Sequence, residues 1–198
     1  MRNTETQLTA LIGSRICHDL ISPIGAINNG LELLNMSGGP SGPEIGLIGE
    51  SVDNASARIR FFRIAFGAAG DQKVGPAEVQ SILRDLYGNS RLTIEWQVTE
   101  PVHRTAVRLA FLALMCAESA MPYGGRVRIT KRHSDWQLEG TADRINLDDA
   151  MSALLAGQKP TEALQPSQVQ FALLPLIARD EDRQVRLQSD KSALSICF

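Results

Sequence analysis

Two long apolar stripes at helical spacing, divided by one dense turn, do most to decide what this chain can fold into. Within residues 13–34, Ile16, Leu20, Ile24, Ile27, Leu31 and Leu34 follow one another in steps of four and three, the seam of a coiled coil. Ile45, Ile48, Val52, Ala55, Ile59, Phe62 and Phe66 then keep a strict alternation of three and four. Between the stripes lies Ser37-Gly38-Gly39-Pro40-Ser41-Gly42-Pro43, whose glycines and prolines stop a helix. The spacing predicts helices over about 4–36 and 44–68, with the residues before Thr4 frayed. Two heptad helices joined by a short turn make an antiparallel hairpin. A hairpin cannot bury its own seam, so two copies are expected to dock as a four-helix bundle. The alternative is that the rest of the chain covers the stripe.

The texture changes after residue 66. Residues 67–75 have no periodicity and read as a linker. Residues 76–87 read as a helix opened by Pro76, which suits a first helical turn. Leu92, Ile94, Trp96 and Val98 alternate as a half-buried strand over 91–98. Residues 102–121 form a strongly apolar helix, ended by Pro122-Tyr123-Gly124-Gly125. Strands at 126–131 and 135–141 form a hairpin through His133-Ser134. Helices at 147–156 and 166–179 follow, then closing strands at 184–187 and 193–198. Helices on one antiparallel-rich sheet give an α+β sandwich. The division is therefore a helical hairpin over 1–70 and a mixed α/β domain over 75–198.

Charge and cysteine content narrow the function classes. The net charge of −2 argues against a nucleic-acid partner, which calls for a basic face. Residues 107–121 are too few to span a bilayer and include Arg108 and Glu118. Cys17, Cys116 and Cys197 have neither zinc nor dithiol spacing. The polar opening residues 1–8 give the expectation of no signal peptide and of a cytoplasmic protein with reduced thiols.

One polar residue on the first helix stands out. At about 100° per residue, His18 points roughly 160–180° away from Ile16, Leu20, Ile27 and Leu34. Ser14, Ser22, Gly25, Asn29 and Glu32 fall within about 40° of it. The imidazole thus stands on the solvent face, in a strip of small and polar residues open to a partner. Asp19 follows directly, where a carboxylate orients the ring or takes its proton. Pro23 interrupts the helical hydrogen bonding one turn later. His103 and His133 have no such context.

The residues His18-Asp19-Leu20-Ile21-Ser22-Pro23 resemble the phosphoacceptor box of dimeric two-component histidine kinases: histidine then acid, with serine and proline at the fourth and fifth places after it. The longer string, continuing Ile24-Gly25-Ala26-Ile27-Asn28-Asn29-Gly30-Leu31-Glu32-Leu33-Leu34, is similar to the histidine phosphotransferases of alphaproteobacteria. The later segments follow that family's order, so the resemblance covers most of the chain. It implies that the α/β domain is a degenerate kinase ATP-binding (Bergerat-type) domain. It also implies a homodimer that takes a phosphoryl group on His18 from a hybrid kinase's receiver aspartate and passes it to the receivers of response regulators, among them a cell-cycle transcription factor. His18 and Asp19 are then the reacting pair. Leu11, Ser14, Ile21, Ser22, Gly25 and Asn29 would form the docking strip, with Arg58 and Arg63 as its far wall. Arg58, Arg60 and Arg63 also read simply as a solvated face.

The α/β domain departs from the kinase pattern where ATP would bind. Residues 112–125 resemble the first nucleotide-binding box, yet Cys116 stands where the magnesium-holding asparagine belongs, and thiols suit hard cations poorly. Ala142-Asp143-Arg144-Ile145-Asn146 lacks the glycines of the next box, and Gly157 is the last glycine in the chain. Phosphates need the close backbone N–H approach that glycine permits. No cofactor is therefore expected, with Mg²⁺ supplied by the partner receiver. Two rival readings stay open: an ATP-dependent histidine kinase with an atypical pocket, and a non-enzymatic dimeric adaptor.

Overall fold

The computed structural model describes residues 2–37, 43–68, 70–160 and 162–198. Helices α1 (Arg2–Ser37) and α2 (Pro43–Ala65) pack against each other as the two arms of the hairpin. The turn chemistry read at 38–42 and the end of the chain at Met1 lie outside the described residues. Helix α2 stops three residues before its expected end. Phe66 N–H still bonds the Phe62 carbonyl, but a Cβ at Gly67 would lie 2.2 Å from the Arg63 carbonyl oxygen. Only glycine lets the chain turn away there.

The α/β domain has elements β1 (Lys73–Val74), α3 (Pro76–Tyr87), β2 (Leu92–Trp96), β3 (Val102–His103) and α4 (Arg104–Ala120). They are followed by β4 (Gly125–Arg132), β5 (Asp135–Thr141), α5 (Asp149–Leu155), a 3₁₀ turn at Pro166–Gln168, α6 (Val169–Asp180), β6 (Arg186–Ser189) and β7 (Ala193–Cys197). The five-stranded sheet has the order β2-β4-β5-β7-β6. It is mixed: β2 runs parallel to β4, whereas the remaining pairs are antiparallel. The expected β4–β5 hairpin turns at His133, whose φ of 57° is the left-handed conformation of a tight hairpin turn. Two readings are corrected. Residues 73–74, assigned to a linker, pair with residues 102–103, which were assigned to a helix. Two-residue strands carry no periodicity, so only the long-range pairing reveals them.

Helix α4 is the centre of the domain. Leu109, Phe111, Leu112, Leu114 and Met115 are all buried, with Ile129, Leu138 and Trp136 from the sheet and Phe171 and Leu174 from α6 around them. Its apolar character on every side follows from packing against both the sheet and the hairpin. The hairpin enters this core through a second face of α2. Ala57, Phe61, Ile64 and Ala65 are buried there, and the Phe61 ring stacks on Phe111 at 4.3 Å with an interplanar angle of 4°.

The long stripes are divided as a result. Leu8, Leu11, Ile12 and Ile16 of α1, with Phe62 and Phe66 of α2, pack against the α/β core. Farther along, Ile24, Leu31, Ile45, Val52 and Ile59 remain roughly half exposed. The α/β domain thus covers one end of the seam and leaves the other open. Among the described residues no helix is long and apolar enough to cross a membrane.

Candidate functional site

His18 stands where the helical count puts it. Its side chain is 84% exposed, and Nδ1 lies 3.1 Å from Asp19 Oδ1. A carboxylate only accepts, so the tautomer this contact favours carries its proton on Nδ1. Exposure and orientation are therefore separate achievements: the helix face supplies one, the neighbouring acid the other.

Asp19 is held much more firmly than its histidine. Its side chain is only 10% exposed. Arg15 Nε donates to Oδ2 at 2.9 Å, one helical turn away on the same face. Arg58 Nη1 of α2 approaches the same oxygen at 3.9 Å, while Arg58 Nε donates to Asn54 Oδ1 at 3.0 Å. Arg15 holds one oxygen of the carboxylate with Arg58 standing nearby, and the other oxygen meets His18. Pro23 adds a further local feature, since it cannot supply the amide that would close on the Asp19 carbonyl.

The anticipated docking strip is assembled only in part. Ser14, Ser22 and Asn29 are exposed and Gly25 is half-buried beside them. A Cβ at Gly25 would meet nothing within 4 Å, so the surface there is open. Ile21 is among the most exposed large apolar residues. Leu11, by contrast, is turned toward the α/β core and lines an apolar cleft with Leu8, Leu164 and Leu176. Arg58 is committed to Asp19 rather than free, and Arg60 binds Asp85 of α3 at 2.6 Å. That guanidinium holds the Asp85 carboxyl below its ordinary range. Arg63 remains exposed.

Sequence reasoning overlooked Arg15, Tyr87 and Glu118. Tyr87 of α3 donates its hydroxyl to Glu118 Oε2 of α4 at 3.0 Å. Both line a cavity of about 70 Å³ together with Arg15, Asp19 and Arg58. Burial pushes the Glu118 carboxyl above its ordinary range, against the pull of the Tyr87 hydrogen bond and of Arg15 and Arg58. Burial and the nearby Glu118 drive the Tyr87 phenol well up. The available signals were an arginine four residues before Asp19 and a lone carboxylate inside an otherwise apolar helix.

The degenerate nucleotide boxes have structural occupations. Cys116 is 1% exposed in the core, and burial drives its thiol well up, so a neutral thiol sits there. Gly124, at φ 96°, lies where a Cβ would be 2.3 Å from the Arg91 carbonyl oxygen, and the Gly125 amide donates to that same carbonyl. These glycines join β4 to its neighbour. The amides of Ala142, Ile145 and Asn146 donate to the carbonyls of Ser192, Lys191 and Ala120. Among the described residues no group of His, Cys, Asp and Glu is arranged to hold a metal ion.

The family model of the histidine phosphotransferase C-terminal domain matches residues 76–193. "Protein phosphotransferase ChpT" of Brucella abortus (strain 2308) is 32% identical over 189 residues, which cover 92% of this chain and 90% of that protein. A solved structure described as a bacterial phosphotransferase superposes with a TM-score of 0.79 at 31% identity, over 96% of this chain and 94% of that one. Alignments of that length take in the hairpin as well as the α/β domain. The chain belongs to the histidine phosphotransferase family.

Proposed function

We propose that this histidine phosphotransferase works as a relay, taking a phosphoryl group from a receiver aspartate onto His18 Nε2 and handing it to a second receiver. The observation that carries the reading is the pairing of an exposed imidazole with a half-buried acid that Arg15 holds in place. In the first step Nε2 attacks phosphorus. An N–P bond forms, the acyl phosphate P–O bond breaks, and the receiver regains its carboxylate. The Nδ1 proton stays on the ring and remains bonded to Asp19, whose negative charge stabilises the phosphorylated imidazole. The second step reverses these bonds with another receiver's carboxylate as nucleophile. Phosphoryl transfer is largely positioning and charge stabilisation, so an imidazole held in one tautomer at an open surface suffices from this side.

The partner supplies the rest. A receiver brings its own carboxylate and Mg²⁺, and the upstream and downstream receivers are those of a hybrid kinase and of response regulators, in the cytoplasm. They dock along Ser14, Ile21, Ser22, Gly25 and Asn29, against the α2 wall at Arg58 and Arg63. The open stretch of the seam pairs with a second copy to make a four-helix bundle, which supports the homodimer reading. The α/β domain is a degenerate kinase ATP-binding domain that takes no nucleotide: the amides of Ala142, Ile145 and Asn146 are already bonded within the chain, and its magnesium position is a buried thiol.

A receiver domain charged with acetyl phosphate tests this. The native chain should take up acid-labile label, and His18→Ala should stay folded and take none. Label retained by His18→Ala would move the acceptor elsewhere.

A further inference from the structure

The cleft that Leu11 lines has no part in the chemistry described so far. It encloses about 480 Å³ where the hairpin meets the α/β domain, and junctions of this kind and size commonly hold small molecules. Leu8 and Leu11 of α1 line one side, Ala172, Pro175 and Leu176 of α6 another, and Leu154 of α5 joins them. Ala172, Pro175, Leu176 and Arg179 recur at the spacing of a single helix face. Phe171, Leu174 and Ala178 of the same helix fill the core. Helix α6 therefore carries a second apolar face, and there Leu176 is 42% exposed. None of the residues that resemble the nucleotide boxes, 112–125 and 142–146, lines this cleft. It is not the remnant of an ATP site.

Charge at the rim narrows the occupant. Lys159, Glu162 and Arg179 line the cleft and are exposed. Among the described residues no ion pair takes up any of the three. Gly157 follows α5 at φ 76°, and a Cβ there would lie 3.2 Å from Arg179 Nη2. The bare glycine lets the guanidinium lie against the backbone at the edge of the cleft. We propose that this cleft binds a small amphipathic monoanion, an apolar chain ending in one carboxylate. The chain lies between α1 and α6, and the carboxylate meets Arg179 and Lys159. Two cations beside one acid leave a single positive charge to neutralise, so a dianion would face Glu162 uncompensated. A guanidinium also matches a carboxylate in shape, through paired N–H donors. The apolar chain in turn takes the open sides of Leu8, Leu11 and Leu176 out of water.

Decanoate below its micellar concentration is the probe, and the full chain is the target. Calorimetric titration should show saturable one-to-one binding, and Tm should rise with decanoate concentration. Methyl spectra of the native protein should place the largest shifts at Leu8, Leu11, Leu164 and Leu176. Leu176→Asp, at an exposed position, should keep the native Tm without probe and weaken binding by about tenfold or more. Arg179→Gln combined with Lys159→Gln should weaken decanoate roughly tenfold and leave decanol unaffected. Absence of saturable binding overturns the proposal, as do methyl shifts confined to other parts of the chain. Decanol binding the native protein as tightly as decanoate overturns the anionic occupant. Unchanged decanoate affinity in a folded Leu176→Asp protein moves the ligand off this cleft and overturns the proposal too.

Discussion

The open end of the hairpin and the α/β domain use apolar side chains in opposite ways. In the domain, Phe111, Trp136 and Phe171 are buried within one continuous core that also takes in Phe61 of the hairpin. Along the far part of the hairpin, Ile24, Leu31, Val52 and Ile59 keep the same heptad regularity and yet stand close to half exposed. A stripe this regular is a helix-packing surface, and among the described residues nothing covers it fully. The domain stabilises the near end of the hairpin, while the acid beside His18 is held from within the hairpin by Arg15. The far end is left half exposed. His18 lies between these regimes, on a helix anchored on one side and open on the other.

Breaking each regime separately should give different failures. Phe111→Ala removes a stacked, buried ring and should cost about 3–5 kcal/mol, lowering Tm by about 10 °C, as calorimetry would record. Ile59→Glu with Leu31→Glu should leave that melting transition nearly in place and convert a dimer to a monomer by light scattering. Each buried Ile or Leu contributes roughly 1.5–3 kcal/mol, and a two-fold interface counts each twice. A native protein that is already monomeric at micromolar concentration would remove the dimer from the account.

A smaller effect sharpens the open side. Gly25→Arg is sterically free, because a Cβ there meets nothing, and arginine favours a helix more than glycine does. It and Asn29→Arg should leave assembly and Tm alone while slowing transfer to and from receivers together, roughly tenfold. Native rates in both variants would move the docking surface off this strip.

Acid–base behaviour offers a finer contrast. Local desolvation beside Tyr87 lifts the Glu118 carboxyl above its ordinary range. A raised folded-state value means its contribution to stability is present in full below the unfolded value and is lost as pH rises through the folded one. Glu118→Gln should therefore melt at the same temperature or slightly higher at pH 7, with the difference vanishing in acid. Smallest of all is the expected response to nucleotide: titration with Mg-ATP should give no saturable heat, and a micromolar Kd would favour the kinase alternative.

The hairpin, the exposed face of His18 and helix α3 were legible because each depends on local periodicity and on end signals such as Pro76. The β4–β5 hairpin was legible for the same reason, with a short polar turn between alternating strands. The parallel β2–β4 pairing and the β1–β3 pair were not, since they join segments whose own patterns are short or silent on direction. The division of the seam was also hidden. Ile16 and Phe62 look like Ile24 and Ile59 in the sequence, and only the packing of α4 against α2 separates them. The hold on Asp19 was half visible: Arg15 sits on the same helix at a readable spacing, but Arg58 approaches from α2.

Phosphorus NMR on the native chain tests the central claim most directly. Mixed with a receiver charged by acetyl phosphate, the protein should show a single N-phosphoryl resonance, assigned to Nε2 of His18, that disappears when an uncharged second receiver is added. No such resonance, or one that maps to another residue or does not pass to the second receiver, would contradict it.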